Sequence, residues 1–416
     1  MVHQGQHQSL RFAITLRAAA VALAIAIVFA LTAFITQSAQ AQTFTVLHDF
    51  TRGKDGASPQ VGLSIDGAGN LFGTANSGGS AGFGTAFEVA HKDRGFDFKV
   101  LHTFTGGSVG STDGGGPAAR VVFGPNGTLY GSTTFGGNSN AGVVYNLGPA
   151  SHLRTETVLY SFTGSSDGDR PSGDLIFDQA GNLYGTTSFG GSTFNGVTFE
   201  LTPSGGGFIE NVLYQFTGGN DGSEPAAGVI SDGAGNLYGT AAGGGAFGFG
   251  TVFELTGSGS PRTDQTLYSF QDGSDGGFPS GGLIFDASGN LYGTTSSGGA
   301  GGGGTVFKLT PSGGSFTFTL LFSFTGSGGP AATLTMDAAG NIYGTTTNDG
   351  AFRQGSVFRL TPSGGGFTFT SLHDFTGGVD GGRPFSNVVF DAAGNLYGTT
   401  SQGGADAAGV VFEITP

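Results

Sequence analysis

The sequence predicts an all-β protein, a seven-bladed β-propeller with four-stranded blades. Three observations predict it: a segment close to G-N-L-Y-G-T occurs seven times, each repeat divides into four short strand patterns, and one repeat is split between the two ends of the chain. A fixed period near 50 residues indicates a repeat architecture, because each unit must bury its apolar face against a neighbour.

The aromatic residue of the recurring segment marks the period. Successive copies are 58, 54, 54, 54, 51 and 54 residues apart. Spacing this regular predicts one structural unit per repeat. The seven aromatic residues are Phe72, Tyr130, Tyr184, Tyr238, Tyr292, Tyr343 and Tyr397.

The fifth repeat shows the strand pattern most clearly. A short apolar run at 282–286 predicts strand A, and residues 291–295 predict strand B after an Asp-Ala-Ser-Gly turn. Alternation of apolar and polar residues predicts strand C at 305–310 and strand D at 316–324. The four strands form a sheet whose apolar faces need a blade on either side.

The two ends of the chain favour a closed ring over an open solenoid. Residues 410–415 match strand C, while residues 43–50 match strand D. We therefore expect the seventh blade to combine three C-terminal strands with one N-terminal strand. Such a split blade closes a ring and leaves only short, protected sheet edges.

The first 41 residues differ in kind from the rest. Arg11 and Arg17 precede an apolar run at 18–35, and small residues at 38–41 offer an A-x-A site. This pattern predicts a signal peptide cleaved between Ala41 and Gln42, a single propeller domain at 42–416, and a secreted or periplasmic location. The alternative is an uncleaved membrane anchor, because the run approaches the ~18–20 residues needed to cross a bilayer.

Composition narrows the range of partners. The chain contains no cysteine, which excludes disulfides, thiolate catalysis and cysteine metal sites. Its formal charge is −14, and removal of the two arginines of the predicted signal peptide makes it −16. Nucleic acid and anionic membrane surfaces would be repelled, so we expect neither as a partner. We expect the exported protein to be a monomer.

The repeat also carries a family resemblance. The patterns P-x-x-x-L-I-F-D-x-x-G-N-L-Y-G-T-T-x-x-G-G and G-x-V-F-x-L-T-P recur over essentially everything after Gln42. The chain resembles the GloVer-type tandem repeat family of exported bacterial proteins and, more loosely, the NHL-like propellers. The resemblance implies export and a propeller fold, and it implies no particular chemistry.

Two series of aspartates recur at turns. The first lies in F-T-G-G-x-D-G-x-x-P, between strand D of one repeat and strand A of the next, where a ring of carboxylates suggests Ca²⁺. The alternative is an Asp-Gly turn, since one carboxylate per repeat falls short of the ~6–8 oxygen ligands of Ca²⁺. The second series, from Asp66 to Asp391, begins the A–B turns and is expected to stabilise them. The candidate calcium ligands are Asp55, Asp113, Asp167, Asp221, Asp275 and Asp380.

The loops between strands B and C carry phenylalanines among glycines. Aromatic rings on a polar rim can stack on sugars or anchor a protein. The alternative is that each ring folds onto its own blade and seals the loop. Two arginines before loop prolines add charge to the same face. The candidate ligand-binding residues are Phe83, Phe135, Phe189, Phe194, Phe247, Phe249, Phe352, Arg170 and Arg383.

No catalytic constellation is evident in the sequence. His48, His102 and His373 share one strand D position with tyrosine and phenylalanine of other repeats, which indicates aromatic packing rather than one metal site. The sequence therefore predicts a binding module for an extracellular glycan or protein. A polysaccharide lyase or hydrolase, by analogy with other propellers, and a purely structural module are the alternatives.

Overall fold

The computed structural model describes residues 42–93, 95–148, 154–326 and 328–415, so the predicted signal peptide lies outside the described residues. Residues Thr43–Thr415 form one compact unit. Their strands make seven antiparallel sheets, arranged as blades around a central channel to which all seven contribute. The predicted seven-bladed propeller is confirmed.

Each blade contains four strand positions, which we name A to D from the channel outward. Position A holds β2 (Ser64–Ile65), β7 (Val122–Phe123), β12 (Ile176–Phe177), β16 (Ile230–Ser231), β20 (Ile284–Phe285), β24 (Thr335–Met336) and β28 (Val389–Phe390). Position B holds β3 (Leu71–Ala75), β8 (Leu129–Gly136), β13 (Leu183–Phe189), β17 (Leu237–Ala241), β21 (Leu291–Thr295), β25 (Ile342–Thr346) and β29 (Leu396–Thr400).

The strands at the outer two positions are longer in every blade except blade 2. Position C holds β4 (Thr85–Lys92), β9 (Val143–Leu147), β14 (Val197–Ser204), β18 (Thr251–Thr256), β22 (Thr305–Ser312), β26 (Ser356–Ser363) and β30 (Val410–Thr415). Position D holds β5 (Gly95–Thr103), β10 (Glu156–Ser161), β15 (Gly207–Gln215), β19 (Thr263–Ser269), β23 (Ser315–Ser323), β27 (Gly366–Asp374) and, for the seventh blade, β1 (Thr43–Asp49). Two further short strands pair with position B in blades 2 and 3, namely β6 (Gly114–Pro117) and β11 (Asp169–Pro171).

The recurring D-x-x-G-N-L-Y segment builds the A–B turn around one carboxylate. In blade 5, Asp286 accepts hydrogen bonds from the backbone N–H of Ser288 and Asn290, from the Asn290 side chain, and from the Tyr292 hydroxyl. Burial opposes ionisation of Asp286, but the hydrogen bonds from Asn290, Ser288 and Tyr292 outweigh it and lower its pKa. The turn role predicted for the second aspartate series is confirmed.

Aromatic rings hold neighbouring blades together. A fully buried phenylalanine after strand D packs edge-on against the strand C aromatic of the next blade, with ring centroids 5.2 Å apart for Phe270 and Phe307. Edge-to-face pairs add to the free energy gained by burying the rings. The seven pairs are Phe50–Phe87, Phe104–Tyr145, Phe162–Phe199, Phe216–Phe253, Phe270–Phe307, Phe324–Phe358 and Phe375–Phe412.

The N-terminal strand completes the ring as predicted. Strand β1 pairs antiparallel with β30, from Thr43 opposite Thr415 to Asp49 opposite Val410. Phe44 stacks on His373 of blade 6 with centroids 3.9 Å apart, and His48 stacks on Phe98 of blade 1 at 3.6 Å. Strand β1 therefore links the first and last parts of the ring.

Two strand predictions differ from the structure in detail. Strand A of blade 5 is paired over only Ile284 and Phe285, whereas the prediction was 282–286. Strand D does not keep strict alternation: a register shift within each C–D pair leaves one leucine unopposed, for example Leu321. This β-bulge changes the direction in which the next aromatic side chain, here Phe322, points.

Candidate functional site

The D–A and B–C connections form one face of the ring, which we call the loop face. Neighbouring blades are joined there by backbone hydrogen bonds. At most junctions the residue before the loop proline donates its N–H to a carbonyl of the preceding blade's B–C loop, as Arg170 does to Ala141 at 2.9 Å and Arg383 to Gln354 at 2.6 Å. The loop face is therefore a connected belt, although most of it has no regular secondary structure.

The residues before these prolines have an unusual backbone conformation. Ser58, Arg170, Glu224, Phe278 and Arg383 all have φ between 52° and 57°. A left-handed conformation at a non-glycine residue costs about 1–2 kcal/mol. The interblade hydrogen bonds maintain it and fix the direction in which each of these side chains leaves the belt.

The predicted phenylalanines lie on the loop face, and their exposure separates them into two groups. Phe189 and Phe249 are half-buried: Phe189 lies under the Arg170 guanidinium at 5.1 Å, and Phe249 packs edge-on against Phe278. The other five are more exposed, although the Phe83 ring lies against Gly107 and the Phe135 ring against Gly116, so the sealing of a loop stays an alternative for these two. The five are Phe83 (38%), Phe135 (43%), Phe194 (68%), Phe247 (54%) and Phe352 (57%).

Each aspartate of the first series is surrounded by hydrogen-bond donors from its own loop. In blade 4, Asp221 accepts from the Thr217 N–H and hydroxyl and from the Tyr214 hydroxyl. Asp55, Asp167 and Asp380 have the same arrangement with their own threonine and a histidine or tyrosine. This geometry is that of a hydrogen-bonded turn, and the calcium ligation stays a prediction.

The central channel holds an ion pair that the sequence analysis missed. A cavity of about 530 Å³ is lined by position A residues of several blades, and Arg120 and Asp174 meet there with Nε and Oδ2 3.1 Å apart. Both residues stand three positions after a loop proline, where other repeats have Gly282 or Thr333. The third residue after the loop proline is charged in two repeats and uncharged in these others, and this difference between repeats is the signal that could have identified the pair.

The shared histidine position lies at the outer edge of the interface between blades. His48 and His373 each contact their own loop aspartate and stack on a phenylalanine of the next blade, Phe98 and Phe44 respectively. Burial lowers the pKa of both histidines, although the neighbouring aspartates act in the opposite direction. The predicted packing role is thus observed for these two.

The third histidine has a different neighbour. His102 of blade 1 faces Glu156 of blade 2, which replaces the stacking phenylalanine, with His102 Nε2 and Glu156 Oε2 3.9 Å apart. Asp113 Oδ1 is 3.4 Å from the same nitrogen. Among the residues that the structure describes, this is the one group of three whose atoms are placed to hold a metal ion.

Burial and mutual repulsion govern the two carboxyls beside His102. Burial raises the pKa of Glu156 to about 9, with the hydrogen bond and charge of Asp113 adding to the effect. Burial opposes ionisation of Asp113, but hydrogen bonds from His102, Glu156 and Thr105 leave its pKa well below the ordinary value. Burial, then the charges of Glu156 and Asp113, raise the pKa of the nearby Tyr145 hydroxyl.

Two further interfaces repeat the acidic substitution without a histidine. Glu210 and Asp264 occupy the same strand D position in blades 3 and 4, as their pairing with Leu201 and Leu255 shows. Burial raises the pKa of Glu210 to about 7, with the charge of Asp167 contributing. Burial and the charge of Asp221 likewise raise the pKa of Asp264 to about 7.

These carboxyls predict a pH-dependent stability. A carboxyl whose pKa is raised by folding binds its proton more tightly in the folded state, so its stabilising contribution is complete below pH ~4 and is lost as pH rises toward 7. We expect Glu210→Gln to raise the free energy of unfolding at pH 8 by roughly 1–2 kcal/mol, after allowance for solvent screening, and to have little effect at pH 4.

Urea unfolding of wild type and variant at both pH values measures this difference. Glu224→Gln, at an exposed glutamate of the loop face, is the matched control and is expected to change neither value. An equal effect of Glu210→Gln at pH 4 and pH 8 would contradict the explanation.

Within the described part of the chain, no helix is long and apolar enough to cross a membrane.

Comparison with solved structures supports the fold. The chain superposes on the extracellular domain of a protein described as a one-component system from B. thetaiotaomicron, with a TM-score of 0.55, 14% identity, and 90% of this chain and 42% of that chain covered. It thus spans less than half of that structure. A Thermus thermophilus protein described as an oxidoreductase of the glucose dehydrogenase type gives a TM-score of 0.46 at 15% identity, covering 75% of this chain and 99% of the other. At 14% identity the first match concerns the fold alone, and the support for the fold comes from that match and not from the second.

Comparison at the level of sequence is more specific. A search of curated proteins found no significant match. The sequence profile of the Gloeobacter/Verrucomicrobia repeat matches residues 28–179, 93–284 and 260–416. These overlapping matches cover most of the chain and all seven blades, and the chain therefore belongs to the Gloeobacter/Verrucomicrobia repeat family.

Proposed function

We propose that the protein is an exported binding module whose loop face takes an extracellular glycan. The observation that carries the proposal is the exposure of five phenylalanine rings on that one face. Exposed aromatic rings on one face of a protein are typical of interaction surfaces, and their flat faces suit the C–H faces of sugar rings.

The rigidity of the belt supports this proposal. Interblade hydrogen bonds hold the backbone on which Arg170 and Arg383 stand, so little conformational entropy is lost when a ligand binds. Arg170 stacks on Phe189 and leaves guanidinium donors for hydroxyl or carboxylate groups of a sugar. Rings and cations together provide both stacking and hydrogen bonding.

Charge makes a neutral ligand, or one with few negative charges, the better fit. The chain has a formal net charge of −14, so a highly anionic polymer would meet long-range repulsion. The proposed location, secreted or periplasmic, follows from the predicted signal peptide and brings the loop face into contact with extracellular polysaccharides.

The test is a glycan and polysaccharide array probed with the purified protein, in calcium and again in EDTA. We expect binding that falls at least about tenfold, or ~1.4 kcal/mol, in Phe135→Ala, Phe194→Ala or Phe352→Ala. Phe194 and Phe352 are more than half exposed, so removal of either ring should leave the unfolding temperature unchanged. Ile209→Ala, at an exposed apolar residue of strand β15 outside the loop face, is the matched control.

The outcomes separate the alternatives. Binding that requires calcium would bring the aspartate loops into the site, and binding unaffected by EDTA would assign it to the rings and arginines. Binding that none of the phenylalanine variants weakens would remove the loop face from consideration. No binding on any array would reject the glycan proposal and favour a protein ligand.

A further inference from the structure

One interface between blades differs chemically from the other six. At the strand D position where Glu156 stands, four blades have a phenylalanine and two have an acid facing a tyrosine. Only between blades 1 and 2, among the described residues, does a histidine of one blade face an acid of the next. The four phenylalanines are Phe44, Phe98, Phe318 and Phe369.

The loop that brings in the third group is also different. Asp113 follows its threonine partner, Thr105, by eight residues, whereas the corresponding separation at Asp167 and Asp221 is four. Thr105 donates its N–H and hydroxyl to Asp113 Oδ2 at 2.7 and 2.6 Å. This fixes the carboxylate so that its other oxygen, Oδ1, faces His102.

Buried polar atoms without partners lie in the same interface. The Glu156 side chain is only 6% exposed, and its Oε1 is buried without a hydrogen-bond partner. The Tyr145 hydroxyl, fully buried and also unpartnered, stands where the other six blades have phenylalanine, but it lies against Gly131 of strand B of its own blade. Leaving a buried group such as Glu156 Oε1 unsatisfied costs about 1–3 kcal/mol, so it points to a ligand that the polypeptide does not itself supply.

We propose that His102, Asp113 and Glu156 form a binding site for a divalent transition-metal ion between blades 1 and 2. Their candidate ligand atoms all lie within 4.8 Å of one another. Three ligands at ~2.0–2.2 Å from one ion stand about 3–4 Å apart, so small side-chain rotations close the site.

The ligand types select the class of ion. One imidazole nitrogen and two carboxylate oxygens suit Zn²⁺ and its first-row neighbours, whereas Ca²⁺ prefers oxygen ligands alone. To bind here, a dication has to displace the proton of Glu156, and its charge then stabilises both carboxylates in their ionised form. The remaining coordination positions would be filled by water.

The structural consequence is a metal cross-link between two blades. Asp113 and Glu156 belong to blade 2 and its entry loop, while His102 lies on strand β5 of blade 1. An ion held by all three stabilises the folded ring, because the same groups are far less well placed in the unfolded chain.

The experiment titrates the untagged protein with Zn²⁺, and separately with Ca²⁺, by isothermal titration calorimetry and thermal unfolding. We expect one Zn²⁺ per chain, a higher unfolding temperature with zinc, and no such effect of Ca²⁺. Mutation of a residue that only hydrogen-bonds a metal ligand weakens metal affinity about 10–100-fold. Loss of a residue that binds the ion directly should therefore weaken zinc affinity at least about tenfold.

The repeat itself supplies variants that keep the fold. Glu156→Phe and His102→Tyr introduce residues that equivalent positions of other blades already contain, so both should fold and both should lose zinc binding. His48→Tyr changes the matching histidine, whose neighbours are Asp55 and Phe98 rather than two acids, and should bind zinc as the wild type does.

The same measurements can overturn the proposal. Absence of stoichiometric zinc binding would reject it, as would binding that survives both Glu156→Phe and His102→Tyr. Tighter binding of Ca²⁺ than of Zn²⁺ would contradict the assigned ion class. None of these outcomes depends on the glycan array, because no ligand of the loop face is present.

Discussion

Deletion of residues 42–50 is expected to unfold the propeller or open its ring. The deletion removes β1, the outer strand of blade 7, together with Phe50, which is completely buried against Phe87. Loss of a buried phenylalanine costs about 3–5 kcal/mol, and Phe44, half-buried and stacked on His373, adds to this. The sum approaches the ~5–15 kcal/mol that holds a whole domain folded.

Thermal unfolding monitored by circular dichroism measures this effect. Phe50→Ala should show a loss of about 3–5 kcal/mol. Thr45→Ala, on an exposed position of the same strand, is the control and should change stability by less than about 0.5 kcal/mol. A deletion variant that melts like the full protein would show that the ring does not depend on its N-terminal strand.

The second large effect is expected from Gly293→Ala in the G-N-L-Y-G-T segment of blade 5. A Cβ at this position would stand 2.6 Å from Phe307 Cζ and 2.9 Å from Leu283 Cδ2, closer than carbon atoms pack in a protein core. Overpacking of a core costs about 1–3 kcal/mol. The glycine is required by the close approach of the ring, since its φ is not in the left-handed region.

Gly233→Ala is the matched control for this prediction. Position 233 has open space around it and no positive φ, and alanine already stands at the equivalent turn position of blade 5, Ala287. We expect no loss of stability there, because alanine also reduces the conformational entropy of the unfolded chain. Phe307→Leu removes the ring that the new methyl group would meet. The variant with both Gly293→Ala and Phe307→Leu should therefore lose less stability than the sum of the two single variants, and a double-mutant cycle measures that difference.

The fold was predictable because the same strand and turn patterns recur in every repeat of the sequence. The constant spacing of Tyr184, Tyr238 and Tyr292 indicated the blades, and the strand D pattern at 43–50 indicated the closure. Each of these signals is local along the chain, so a single sequence carries it.

The meeting of His102, Asp113 and Glu156 was not predictable in the same way. His102, Asp113 and Glu156 meet only because strand D of one blade lies beside strand D of the next, a contact that no local pattern encodes. A signal was nevertheless present in the repeats: the longest gap, 58 residues, precedes Tyr130, and an acid stands at 156 where four other repeats have phenylalanine. Departures from a repeat are therefore more informative about sites than the repeat itself.

The predicted loop residues were placed on one face, but their exposure could not be predicted. Phe189 ends strand β13 and Phe194 lies five residues later in the loop, and the first is covered by Arg170 while the second is 68% exposed. That difference arises from turn geometry and from the neighbouring D–A loop, both of which depend on the assembled ring.

The left-handed residues before the loop prolines have a consequence for how this scaffold can change. Their backbone is held by main-chain hydrogen bonds to the neighbouring blade, as at Arg170 and Arg383, so the conformation does not depend on which side chain is attached. Serine, arginine, glutamate and phenylalanine already occupy the position in different blades. Single substitutions at these positions can therefore change which ligand the loop face binds without altering a strand. This makes the propeller a natural starting point for a combinatorial binding library.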